Sequence, residues 1–177
     1  RGTKAATAAD VLFLPSGHLN IPAGIRTLSN GLFREEAEKA LEANGYHSGF
    51  YFTPNVRNDS LYAMKDAKSP QSSSTFQGLT NAVSLFIEIR GIGLGRACFT
   101  RRAECGFLVS RSLLETAALH SKEVRSGIRK AAKETCSGKS DISVTFQSAR
   151  TELPVTFIDL AKNERFTEPL PTFDALQ

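Results

Sequence analysis

One run of residues limits the fold of this chain more than any other: Ala82-Val83-Ser84-Leu85-Phe86-Ile87-Glu88-Ile89. It is apolar at nearly every position. A strand that buries one face alternates in polarity, whereas a strand covered on both faces reads as a continuous apolar run. The run therefore predicts a strand within a sheet that has other elements on both sides. Gly91-Ile92-Gly93-Leu94-Gly95 follows and ends it, since glycine permits sharp bends and close approach. Glu88 breaks the apolar pattern. A carboxylate in such surroundings is costly unless it is paired or used. Burial would move its pKa up, toward the range useful for proton transfer. Two readings stay open: chemistry at the carboxyl end of a strand, where open α/β sheets gather ligands, or an ion pair with an arginine from another element.

The rest of the pattern predicts α/β architecture with a mostly parallel or mixed sheet, because strand-like and helix-like segments alternate. Asp10 to Leu14 reads as a buried strand before the turn residues Pro15-Ser16-Gly17. Ser29-Asn30-Gly31 offers capping chemistry for an amphipathic helix over Leu32 to Ala43, and Asn44-Gly45 stops it. Phe50-Tyr51-Phe52 suits a strand. Thr53 to Phe76 reads as one long irregular loop, given Pro54, Asn55, Asn58, Asp59, Pro70 and Ser72-Ser73-Ser74. A single long helix is predicted from about Thr100 to about Thr135, with Phe107, Leu114, Ala117, Val124, Ile128 and Ala131 on its apolar stripe. Ile142 to Phe146 and Val155 to Leu160 read as late strands, and the tail holding Pro169 and Pro171 as a loose terminus. The organisation expected is a single domain, or a C-terminal segment of one, over residues 1–177, with late strands and tail over 137–177.

At 177 residues the chain can bury a substantial core. No stretch reaches the roughly 20 apolar residues of a membrane span. Arg1 to Thr7 has a basic start without an apolar segment behind it, so no signal peptide is expected there. Secretion or a periplasmic location would need such a signal from a parent chain. The net charge of +4 is modest. Its densest arginines, Arg90, Arg96, Arg101, Arg102 and Arg111, lack interleaved stacking aromatics, which argues for a solvated face and no nucleic-acid partner. Cys98, Cys105 and Cys136 form no CxxC pair and no complete disulfide framework.

The spacing of Gly91, Gly93 and Gly95 departs from the dinucleotide fingerprint, and no P-loop Lys-Ser/Thr follows. An anion- or nucleotide-binding module using Gly91 to Gly95 is an alternative function. His120-Ser121-Lys122-Glu123 matches H-x-x-E in form but lies late in a helix beside Lys122 and Arg125, and it reads as an exposed face. His18 and His47 read as structural. A zinc site needs three or four converging ligands, and the sequence does not visibly supply them. No G-x-S-x-G elbow is present.

The stretch from Gly78 to Arg96, with Arg101-Arg102 after it, closely resembles a bacterial-type branch of the zinc carboxypeptidase family. Asp10-Val11-Leu12-Phe13, Asn20-Ile21-Pro22, Gly45-Tyr46, Tyr51-Phe52-Thr53 and Leu153-Pro154-Val155 extend the likeness over most of the chain. The resemblance implies a zinc-dependent metallocarboxypeptidase-like hydrolase. Its substrate would be a peptide or an N-acyl amino acid. Glu88 would be the general base for a zinc-activated water, and Arg90, two residues on, would lie at the site's edge. Tyr62 is the nearest match to a substrate-binding tyrosine. The zinc ligands and the arginine that holds a substrate carboxylate would lie upstream, in another half of the same catalytic domain, which makes this a C-terminal portion that is inactive alone. His18 falls after the third ligand's place, and Ser73-Ser74 stands where a Gly-Arg is expected. A further alternative is a catalytically inactive relative that binds peptide or cell-wall material.

Overall fold

In the computed structural model only the second half of the apolar run, Leu85–Ile89, is a strand, half-exposed along its length and paired on one side among the described residues, and the structure describes residues 5–57, 60–64, 69–90, 96, 98–139, 141–144, 148–159 and 161–175. The central strand is β2 (Val11–Pro15), after a short β1 (Ala5–Thr7). β2 pairs antiparallel with β6 (Leu85–Ile89) and parallel with β3 (Ser48–Phe50). Val11 and Phe13 are fully buried against Ala37 and Leu41 of one helix and Cys105 and Val109 of another. Ile87 and Ile89 pack on the same side. By the period of two, Leu12 and Glu88 point to the opposite face.

The parallel β2–β3 pair needs a crossover. A continuous helical rod provides it: α1 (Ala23–Thr27), a π-helical stretch (Leu28–Phe33), and α2 (Arg34–Glu42). The predicted start at Ser29-Asn30-Gly31 is corrected. The helix begins after Pro22, whose carbonyl accepts from the N–H groups of Ile25 and Arg26 at 2.9 and 3.2 Å. Ser29 instead donates its hydroxyl to the Ser84 carbonyl at 2.5 Å, tying the rod to the approach of β6.

The expectation of a mostly parallel sheet is also corrected. Three small sheets form, ordered β3-β2-β6, β1-β7-β8 and β4-β5, and every described pairing except β2–β3 is antiparallel. Thr53 to Phe76 is not one loop. It contains the hairpin β4 (Thr53–Arg57) and β5 (Ser60–Met64), then α3 (Ser73–Leu79). Pro54 is tolerated because β4 has one neighbour only. The tail is likewise a strand: β7 (Ser148–Asp159) and β8 (Glu164–Ala175) make a long hairpin, with Pro154 opposite Pro169. Ile142 to Val144 is not strand, and the rest of that predicted strand lies outside the described residues. Phe52, Ala63, Leu153, Val155 and Leu170 form a second core beneath the hairpins.

The predicted long helix is two, α4 (Phe99–Leu119) and α5 (Ser121–Cys136), separated at His120. Their buried stripes differ in direction. At 100° per residue, Cys105, Val109, Ser112 and Thr116 share one line, while Ala131 lies roughly a quarter turn away. α4 packs on α2, and α5 packs through Ala131 on Ile21 and Ile25 of the α1 region. One straight helix could not serve both targets. Phe107 and Leu114, expected on the inner stripe, face solvent at 63% and 73% exposure.

Candidate active-site cleft

Glu88 stands opposite Leu12 in the β2–β6 ladder, on the face turned away from the helices. That face opens on a cleft of about 710 Å³. The other sheets supply its walls: Pro54, Val56 and Leu61 from the β4–β5 hairpin, and Phe157, Phe166 and Glu168 from β7–β8. Phe157 and Phe166 stack with centroids 5.6 Å apart. Tyr51, also in the wall, meets Phe86 edge to face at 5.0 Å. Glu88 is thus a half-buried carboxylate in a cleft rich in aromatic surface. Among the described residues nothing hydrogen-bonds or ion-pairs with it, so the alternative of a structural ion pair finds no arginine there.

Arg90 and Tyr62 do not line this cleft. Arg90 borders a separate pocket of about 290 Å³ with Asp10, Arg101, Arg102 and Cys105. Its backbone N–H donates to the Asp10 carbonyl at 2.9 Å, which anchors the end of β6. Tyr62 is on β5 opposite Asn55. Leu61 lines the cleft and Ala63 is buried beneath it, so alternation turns Tyr62 to the hairpin's other face. Gly91 to Gly95 lie outside the described residues.

Asp10 organises the region beside β6. It is 7% exposed. Arg101 donates to both its oxygens, Nε to Oδ1 at 2.6 Å and Nη2 to Oδ2 at 2.7 Å, and the His47 N–H donates to Oδ2 at 2.9 Å. Burial opposes ionisation of Asp10, but the hydrogen bonds from Arg101 and His47 and the Arg101 charge outweigh it and hold the carboxyl below its ordinary pKa. The same guanidinium lies 4.6 Å from the Tyr46 ring centroid. The Tyr46 hydroxyl donates to Glu104, which raises its pKa. Burial pushes the Cys105 thiol up.

The histidines are dispersed. His18 is buried, which lowers its pKa, and its Nδ1 accepts from the Asn20 N–H at 3.2 Å. His47 Nε2 lies 2.6 Å from Arg165 Nη1. Since a guanidinium can only donate, Nε2 is the acceptor. His120 Nδ1 meets Glu123 Oε2 at 3.1 Å. Among the described residues no group of three or more His, Cys, Asp or Glu side chains could hold a metal ion. The ligands of the zinc that the resemblance implies would have to come from other residues than these. No described helix is long and apolar enough to cross a membrane.

Glu168 was missed in the sequence because its segment read as a loose tail. The alternation across 148–175 was the available signal for a hairpin.

Comparison with curated proteins gives relatives of one description. The chain is 32% identical over 167 residues to "Probable carboxypeptidase 2" of Arthroderma benhamiae, covering 92% of this chain and 31% of that protein. It is 30% identical over 164 residues to "Carboxypeptidase 2" of Trichophyton rubrum, with 92% and 30% covered. It is 31% identical over 167 residues to "Probable carboxypeptidase 2" of Trichophyton verrucosum, with 92% and 32% covered. The chain thus spans about a third of the length of these relatives. No family model matches, and no solved structure matches. The likeness supports a carboxypeptidase family, at the level of the family and not of a bacterial-type branch within it.

Proposed function

We propose that these residues form part of a carboxypeptidase-like hydrolase that releases the last residue of a peptide or N-acyl amino acid, with Glu88 as general base. The observation that carries the reading is the position of Glu88: a carboxylate without a partner among the described residues, in the wall of an aromatic cleft of about 710 Å³. That volume lies within the roughly 300–1,000 Å³ of small-molecule sites.

Glu88 takes a proton from an attacking water as the water oxygen adds to the amide carbonyl. It then returns that proton to the nitrogen as the C–N bond breaks, leaving a carboxylic acid and a free amine. The rings of Phe157, Phe166 and Tyr51 hold the apolar part of the substrate and limit access of water. Arg90 acts indirectly, by holding the end of β6 through its bond to Asp10. The zinc of the resemblance would require ligands other than the described residues, and none of these steps runs through it.

The test is release of C-terminal residues from a peptide panel by the polypeptide carrying this sequence at its natural full length. Wild type is expected to cleave, and Glu88→Gln to lose about 10²- to 10⁴-fold in kcat, the usual contribution of a general base. Cleavage at full rate by the variant would overturn the assignment. Peptide binding without turnover by the wild type would replace it with the binding-domain reading.

A further inference from the structure

α5 packs its inner face on the α1 region through Ala131, with Gly127 against Leu28. At 100° per residue, Lys122, Arg125, Arg129, Lys130 and Lys133 all fall on the opposite side, within about 80° of one direction. Glu123 and Glu134 lie on the flank, and Glu123 is engaged by His120. Among the described residues none of the five cations has an ion pair or a hydrogen bond. Like charges four residues apart weaken a helix, so the row carries a cost that folding alone does not explain.

The five cations and Ser126 border a trough of about 600 Å³. Its sides are two i, i+4 rows: Lys122-Ser126-Lys130 and Arg125-Arg129-Lys133. Neighbours in a row are about 6 Å apart along the axis. An extended polypeptide presents side chains on one face about 6.8 Å apart, two residues at about 3.4 Å each. Carboxylates at every second residue would therefore run nearly in step with Arg125, Arg129 and Lys133, with Lys122 and Lys130 beside them, and guanidinium groups pair with carboxylates two bonds at a time. The trough has no aromatic ring for stacking bases. It has no apolar residue to enter a bilayer.

We propose that the outer face of α5 is a docking surface for an extended acidic polypeptide segment with Asp or Glu at alternate positions. The site is separate from the Glu88 cleft and does not depend on its chemistry. The probe is a fluorescein-labelled peptide of alternating Glu and Ser, titrated with the protein and followed by anisotropy. A peptide of equal composition with its glutamates in one block is the control. The alternating peptide is expected to bind more tightly than the block peptide. Arg125→Gln with Arg129→Gln should weaken it about tenfold, as loss of two exposed ion pairs within a network allows, while circular dichroism and thermal unfolding stay those of wild type. Equal binding of both peptides, no effect of the double variant, or tighter capture of oligothymidylate or phosphatidylserine vesicles through the same arginines would overturn the proposal.

Discussion

Replacing Asp10 by Asn preserves its volume and removes its charge. Three hydrogen bonds are affected, two from Arg101 and one from the His47 N–H. Bonds to a charged group contribute about 1.5–3 kcal/mol each when intact. The sum overstates the loss, because the Arg101 side chain is 44% exposed and can turn to water, where exposed pairs are weak. The amide oxygen of Asn can also keep the His47 bond. A net loss of about 2–3 kcal/mol results, which for a chain of this size lowers Tm by about 4–12 °C. The pH dependence has a definite sign. The folded pKa of Asp10 is depressed, so its stabilisation is present above the unfolded carboxyl pKa of about 3.9 and is lost as pH falls through the lower folded value. The gap between wild type and Asp10→Asn should be constant from neutral pH down to about pH 5 and close in stronger acid. Urea denaturation across that range reads it directly. A gap under about 0.5 kcal/mol at neutral pH, or one that widens on acidification, would refute the reasoning.

Two glycines should respond differently to alanine. In Gly78→Ala the new Cβ would sit 2.5 Å from Cδ1 of the fully buried Ile21, and a net loss of about 1–2 kcal/mol is expected in urea denaturation after the helix-propensity gain. In Gly127→Ala the new Cβ meets a single close atom, Cδ1 of Leu28 at 2.7 Å, where Gly78 meets three within 3.4 Å, and with the helix-propensity gain stability should stay within about 1 kcal/mol of wild type. Phe166→Ala removes one aromatic wall of the cleft and should raise KM for peptides with bulky terminal residues roughly tenfold while kcat holds, as steady-state kinetics would show.

The sequence was most legible where apolar residues run together. Leu85 to Ile89 and Val11 to Pro15 are strands read from such runs, although among the described residues β6 stands at a sheet edge with every residue half-exposed. Ala82 to Ser84 fell out of the predicted strand because Asn81 takes a positive φ of 65° and the Ser84 hydroxyl donates to the Ser74 carbonyl at 2.7 Å. The break at His120 was hidden because the inner stripe of α4 is made of small and weakly polar residues, Cys105, Ser112 and Thr116 beside Val109, while its bulky Phe107 and Leu114 face outward. Proline hid the hairpins: Pro54, Pro169 and Pro171 read as loop, yet each stands in a strand without a second neighbour to demand its missing N–H. Glu88 was legible as an oddity of charge. What surrounds it was not, because its cleft joins β2 and β6 to residues more than 60 positions later in β7 and β8. The cations of α5 are visible one by one in the sequence, but only the helix phase set by Ala131 shows that they share an outer face.

The central claim concerns what Glu88 does once a peptide is in the cleft. The most direct measurement compares binding and turnover in one variant, Glu88→Gln, by calorimetric titration of a peptide and by release of its last residue. The account predicts wild-type affinity with kcat lowered by about 10²- to 10⁴-fold. Unchanged kcat, or loss of binding in proportion to turnover, would contradict it.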